Sequence, residues 1–139
     1  MRWSRIEEFR FQKLDCKSVK ADEPKARTKE FALRVIKFVA ALPKSVEGRA
    51  IANQLVRSGT SVAADYRSAR RVRSRIEFVA KLGIVLEEAD ESLLWLELIV
   101  TAKLLPPPRV EPPLNEVNEL VAIMAASRKS AMTGRKSEI

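Results

Sequence analysis

The chain has 139 residues, enough for one domain with a real core and too few for two comfortable ones. Apolar residues make up 46% of it with only four glycines and few aromatics, a balance that favours an all-α fold over a sheet-rich one. A formal net charge of +8 attracts nucleic acid, acidic proteins or anionic lipid, while the lack of any histidine removes the commonest general base and metal ligand.

Glu97 and Lys103 interrupt the most apolar segment, Leu93 to Leu105, so no membrane span is expected. Glu7, Glu8, Arg10 and Lys13 break up the only candidate leader, and the expected location is the cytoplasm. Cys16 is the single cysteine; it allows no intrachain disulfide and reads as incidental, since nothing around it signals a low-pKa thiol.

Residues 1–25 are charged and weakly periodic, and Pro24 separates them from a strongly periodic stretch; they read as a loosely ordered extension. The alternative is a short amphipathic helix using Trp3, Ile6, Phe9 and Leu14 that docks on a neighbouring subunit. A bundle is expected over 26–132. Its first helix is capped by Thr28, carries Phe31, Val35, Phe38, Val39 and Leu42 at three- and four-residue steps, and stops at Pro43.

A second helix is predicted from about Glu47 to Ala69, with Ile51, Leu55, Val62 and Tyr66 on one face and the small residues Ser58, Gly59, Ser61, Ala63 and Ala64 in its middle. Gly59 costs about 1 kcal/mol of helix propensity relative to alanine, which points to a close helix contact or a kink. Ser74 and Glu77 have capping-box spacing and start a third helix that runs to about Ala102 through Val79, Leu82, Leu86, Ala89, Leu93, Leu96 and Val100. Pro106, Pro107, Pro108, Pro112 and Pro113 predict a non-helical connection before a last helix from about Pro113 through Val117, Leu120, Val121, Met124 and Ala125 to Ser130. Residues 133–139 are expected to form a frayed basic tail, whose Arg135 and Lys136 add to Arg128 and Lys129. Short, proline-marked links make an antiparallel up-down four-helix bundle the simplest architecture.

Besides its core stripe, helix three carries Ile84, Val85, Leu94, Trp95, Leu98 and Ile99 over much of its circumference. One core uses a stripe only a little over about 100° wide, so the excess predicts a homo-oligomer, with Ile84, Leu94, Trp95 and Leu98 as interface candidates. The competing reading makes this simply the central helix of the bundle.

Without histidine there is no Ser-His or Cys-His nucleophile and no Glu-x-x-His di-iron element, and no glycine-rich phosphate loop occurs. Glu87, Glu88, Asp90, Glu91 and Glu97 form an acidic run in which Glu87 and Glu91 lie one turn apart, a spacing that can hold Mg²⁺ or Ca²⁺ but is more often a solvated or ion-paired face. The expectation is a non-enzyme that needs no metal or other cofactor.

The densest positive stretch holds Arg67, Arg70, Arg71, Arg73, Arg75 and Lys81 against the single acid Glu77. It falls where helix two ends and helix three begins, combining arginine forks with a helix N-terminus, both suited to phosphate oxygens. RNA or DNA is one candidate partner; arginines paired with a neighbour's acidic run, or an acidic protein partner, is the other reading, since no aromatic interleaving accompanies the charge.

The run from Gln54 to Leu98 resembles the four-helix-bundle proteins encoded in bacterial 23S ribosomal RNA intervening sequences, also called the S23 ribosomal protein family. The likeness extends from about Lys25 to Ser130 and is most specific in QLVRSGTSVAADYR, in the Ser74 to Leu82 entry and in EEADESLLWLEL. Members resemble the accessory protein of diversity-generating retroelements. That kinship implies a barrel-like homopentamer with a basic nucleic-acid-binding surface, no established catalytic activity, and a reverse transcriptase among its conceivable protein partners. Asp65 stands where many relatives carry asparagine, and the first 24 residues have no counterpart in the family pattern.

Overall fold

The computed structural model describes residues 23–134. Within them the chain forms four α-helices and no strand: α1 (Pro24–Phe38), α2 (Val46–Arg70), α3 (Arg75–Thr101) and α4 (Pro107–Met132), with a 3₁₀ turn at Val39–Ala41 after α1. Each helix packs on the next, and α1 also meets α4, which closes the set around one core. The pairings run antiparallel. Arg27 of α1 meets Glu119 of α4 while Arg34, further along α1, meets the earlier Glu116.

The starts of the helices follow from their first residues. Ser45 and Ser74 each accept a bond from the amide three residues on, Gly48 and Glu77, both at 3.1 Å. Each serine satisfies one donor that has no partner within its helix. Thr28 is not the cap of α1, which begins four residues earlier at Pro24, a residue whose ring fixes φ for a first turn. The Thr28 side chain is buried instead and donates to the carbonyl of Lys25 at 3.1 Å.

The proline-rich stretch differs most from expectation. Pro107 opens α4 and Pro112 and Pro113 lie inside it, so no irregular connection separates Pro108 from the last helix. Pro107 and Pro108 occupy first-turn positions, where an amide has no partner to lose. Pro112 and Pro113 lack the amides that would have bonded Pro108 and Arg109, and both of those residues are exposed, leaving their carbonyls near water.

Phe31, Val35, Leu55, Val62, Tyr66, Leu82, Val85, Leu96, Ile99, Val110, Val117, Leu120 and Met124 form the core. On α3 the buried line is Leu82, Val85, Ala89, Ser92, Leu96 and Ile99, while Leu86, Leu93 and Val100 flank it. Val85 and Ile99, counted from sequence as excess, therefore belong to the bundle's own interior. Gly59 is where two helices come close: a β-carbon there would stand 3.1 Å from both methyl groups of Val35.

One polar pair is fully enclosed by this interior. Ser58 Oγ of α2 and Ser92 Oγ of α3 are 2.8 Å apart, and each also bonds a carbonyl of its own helix. Just outside them Arg57 bridges Glu88 and Glu91 of α3. The bond between the two hydroxyls favours one register of α2 against α3, because a slip would lose it, at about 0.5–1.5 kcal/mol, while each hydroxyl kept the carbonyl of its own helix.

Candidate functional site

At one end of the bundle the last turn of α2, the Arg71–Ser74 link and the first turn of α3 bring Arg67, Arg70, Arg71, Arg73 and Arg75 together, all exposed. Lys81 stands apart, half-buried further along α3. The end of α4 joins them, since Arg75 Nη1 lies within 2.9 Å of the β-carbon position of Gly134, a residue held at φ +82°.

Electrostatics separate these arginines from the others. Arg27, Arg34 and Arg57 each reach a glutamate across a helix pair. Among the described residues, none of Arg67, Arg70, Arg71, Arg73, Arg75 and Lys81 has a carboxylate within salt-bridge distance. Glu88 and Glu91, the acids that might have served a neighbour's arginines, are already held by Arg57 of the same chain. The Glu91 bond is the main reason the Arg57 guanidinium clings to its proton beyond its ordinary value.

Local helix energetics account for some of this charge and not the rest. Arg67 and Arg70 sit in the last turn of α2, where the helix dipole favours cations. Arg73 and Arg75 flank the start of α3, where the same dipole disfavours them by about 0.3–1 kcal/mol each, offset in part by Glu77. Arg70 also lies 5.9 Å from the centroid of the Tyr66 ring. Burial pushes the Tyr66 hydroxyl above its ordinary pKa, with the polar contact and then the charge of the neighbouring Arg70 acting against it. That hydroxyl is enclosed and, among the described residues, has no hydrogen-bond partner of good geometry.

Arg128 does not behave as part of a loose basic tail. Its Nε donates to the carbonyl of Val79 at 3.0 Å, and its guanidinium packs over Gly83, so it ties α4 to α3. Arg135, Lys136, Cys16 and the residue 1–22 extension lie outside the described residues. Asp65 is half-buried and has no hydrogen bond or ion pair among the described residues.

The interface candidates of α3 separate in the structure. Ile84, Leu94 and Leu98 are 43%, 46% and 37% exposed and lie on the face of α3 turned away from the core. Trp95 is half-buried at the edge of that face, with its indole N–H enclosed and, among the described residues, unpartnered. Leu33 and Ile36 form a smaller exposed apolar pair on α1 that the sequence reading missed; their places at the third and sixth steps from Glu30 gave no signal apart from the core stripe.

Among the described residues no three acids or cysteines gather as metal ligands, and no helix is long and apolar enough to cross a membrane. A comparison with curated proteins finds no match. Among solved structures, a protein of unknown function from the S23 ribosomal protein family of Bacteroides thetaiotaomicron VPI-5482 is similar, with a TM-score of 0.71 and 31% identity over 76% of this chain and 98% of that one. Residues 24–126 match the 23S rRNA-intervening sequence protein family. That span takes in all of α1, α2 and α3, the arginine-rich link and most of α4, and the chain belongs to the 23S rRNA-intervening sequence protein family.

Proposed function

We propose that this chain is a non-catalytic, homo-oligomeric platform that binds RNA or DNA through phosphate contacts at Arg67, Arg70, Arg71, Arg73 and Arg75 without reading sequence. The observation that carries the reading is the contrast in pairing among the described residues: the arginines between helices are neutralised, and those at the α2–α3 link are not. Two of them also oppose the dipole of α3, a cost that Glu77 offsets only in part. Planar guanidinium groups at a helix junction suit phosphate oxygens by geometry and charge.

The oligomeric part rests on the exposed apolar line of α3, and five is the number the family resemblance implies. A fluorescence-anisotropy titration with RNA and DNA oligonucleotides tests the nucleic-acid part. Binding is expected at low salt, falling steeply as salt rises. The triple variant Arg71→Glu, Arg73→Glu, Arg75→Glu should weaken it more than tenfold. No binding at low salt, or equal binding by the variant, defeats the reading; stoichiometric recovery of one acidic protein from nuclease-treated lysate would replace it with a protein adaptor.

A further inference from the structure

Two exposed apolar faces stand on opposite sides of the bundle and carry opposite charge. On α3, Ile84, Leu94 and Leu98 run along the outer side, with Glu87 among them and Asp90 and Glu97 beside them, all exposed. None of these acids is in an ion pair among the described residues. On α1, Leu33 and Ile36 are exposed, Lys37 shares their face at helical spacing, and the exposed Ala40 continues it. Among the described residues Lys37 has no carboxylate within salt-bridge distance. Glu30 lies on the α4 side of α1, near Glu116, and Arg34 is already held by that glutamate.

Neither face can serve the other within one chain. α1 packs on α2 and α4, and α3 packs on the same two helices, so the pair stands diagonally across the core with these faces turned outward. Only a second copy brings them together. Docked on its own counterpart, the α3 face would set Glu87, Asp90 and Glu97 against the same acids, and like charges side by side are costly. Docked on the α1 face, it meets leucine, isoleucine and lysine instead.

We infer that the outer face of α3 of one copy docks head to tail on the outer face of α1 of the next, with Leu94 on Leu33, Leu98 on Ile36 and Glu97 on Lys37. These pairs share one parallel register, agreeing to within about 3 Å at the helical rise. In an up-down bundle α1 and α3 run in the same direction, so a parallel contact carries one copy onto the next without inverting it. Head-to-tail contacts of this kind build a ring or a filament and not a two-fold dimer. Every copy then presents its arginine-rich end on the same side.

This inference rests on the oligomer reading and adds which faces meet. Leu33→Asp with Ile36→Asp closes the α1 face, and Leu94→Asp with Leu98→Asp closes the α3 face. Each double variant alone should be a folded monomer by circular dichroism and light scattering. Mixed in equal amounts, well above the concentration at which the parent associates, the two should double in mass, because each supplies the face that the other lacks. An α1 variant as large as the parent, or a mixture that stays monomeric, overturns the inference and leaves the oligomer reading standing. A monomeric parent sinks both, and gives the α3 face to another segment of the chain or to another protein. Single charges provide a second readout that does not depend on the aspartate variants folding. Lys37→Glu should weaken association by about two- to fivefold, and Glu97→Lys added in the same chain should restore it. Losses that add instead of cancelling also overturn the inference.

Discussion

Glu116 shows how burial and pairing compete at one residue. Its carboxylate accepts from Arg34 Nε at 2.6 Å, yet its side chain is mostly enclosed. Burial pushes its pKa above the ordinary value, Arg34 pulls the other way, and the nearby Glu30 adds to the rise. The folded chain thus holds this proton more tightly than the unfolded chain does. The contribution to stability is full below the ordinary glutamate value of about 4.3 and is lost as pH rises through the higher folded value. Glu116→Gln keeps an oxygen for Arg34 and removes the ionisation. We expect a higher Tm than the parent at pH 7 and a difference that fades below about pH 4, measured by thermal denaturation at both. A lower Tm at pH 7 would mean that the ion pair outweighs the burial.

At the scale of elements, what the sequence made legible depended on whether the cause was local. Ser74 and Glu77 announce the start of α3 because a cap needs only its own turn. The apolar repeats of α1 and α2 likewise reveal their buried faces, with Phe31, Val35, Leu55, Val62 and Tyr66 all enclosed. Pro112 and Pro113 misled because a proline's cost depends on which carbonyl loses its partner and whether water can replace it, a matter of exposure. The Ser58–Ser92 and Arg57–Glu88 contacts join residues more than thirty positions apart, and no spacing within either helix marks them. The arginine cluster was legible as a run, and its lack of carboxylate partners among the described residues depends on how the helices are placed.

Glycines make the same point about context, and the sign of a substitution follows from what a β-carbon meets. At Gly48, where α1 turns into α2, it would stand 2.1 Å from the Pro43 carbonyl oxygen, a backbone atom with little room to yield. At Gly83 it would meet the Arg128 guanidinium at 3.5 Å, an ordinary contact with a flexible side chain. Alanine gains about 1 kcal/mol of helix propensity at either site, while overpacking costs about 1–3 kcal/mol. Gly48→Ala should therefore destabilise and Gly83→Ala should be neutral or stabilising in urea unfolding. Equal behaviour of the two would show that the Pro43 corner relaxes freely.

For the whole molecule, the proposed assembly and the proposed binding are coupled by geometry, because each copy adds one arginine-rich end to the same particle. Linking several weak electrostatic sites raises apparent affinity for a ligand long enough to span them, by roughly 10²–10⁴-fold, and leaves a ligand that fills one site unaffected. Leu94→Asp with Leu98→Asp puts charge on the exposed line of α3, far along that helix from Arg75. Such a variant is expected to sediment as a folded monomer, to lose affinity for a long RNA or DNA by at least about a hundredfold, and to bind a short oligonucleotide as the parent does. Equal losses for short and long ligands would place the nucleic-acid contact on α3 itself. Unchanged binding of the long ligand by a proven monomer would show that a single arginine-rich end suffices, and that assembly serves some purpose other than avidity.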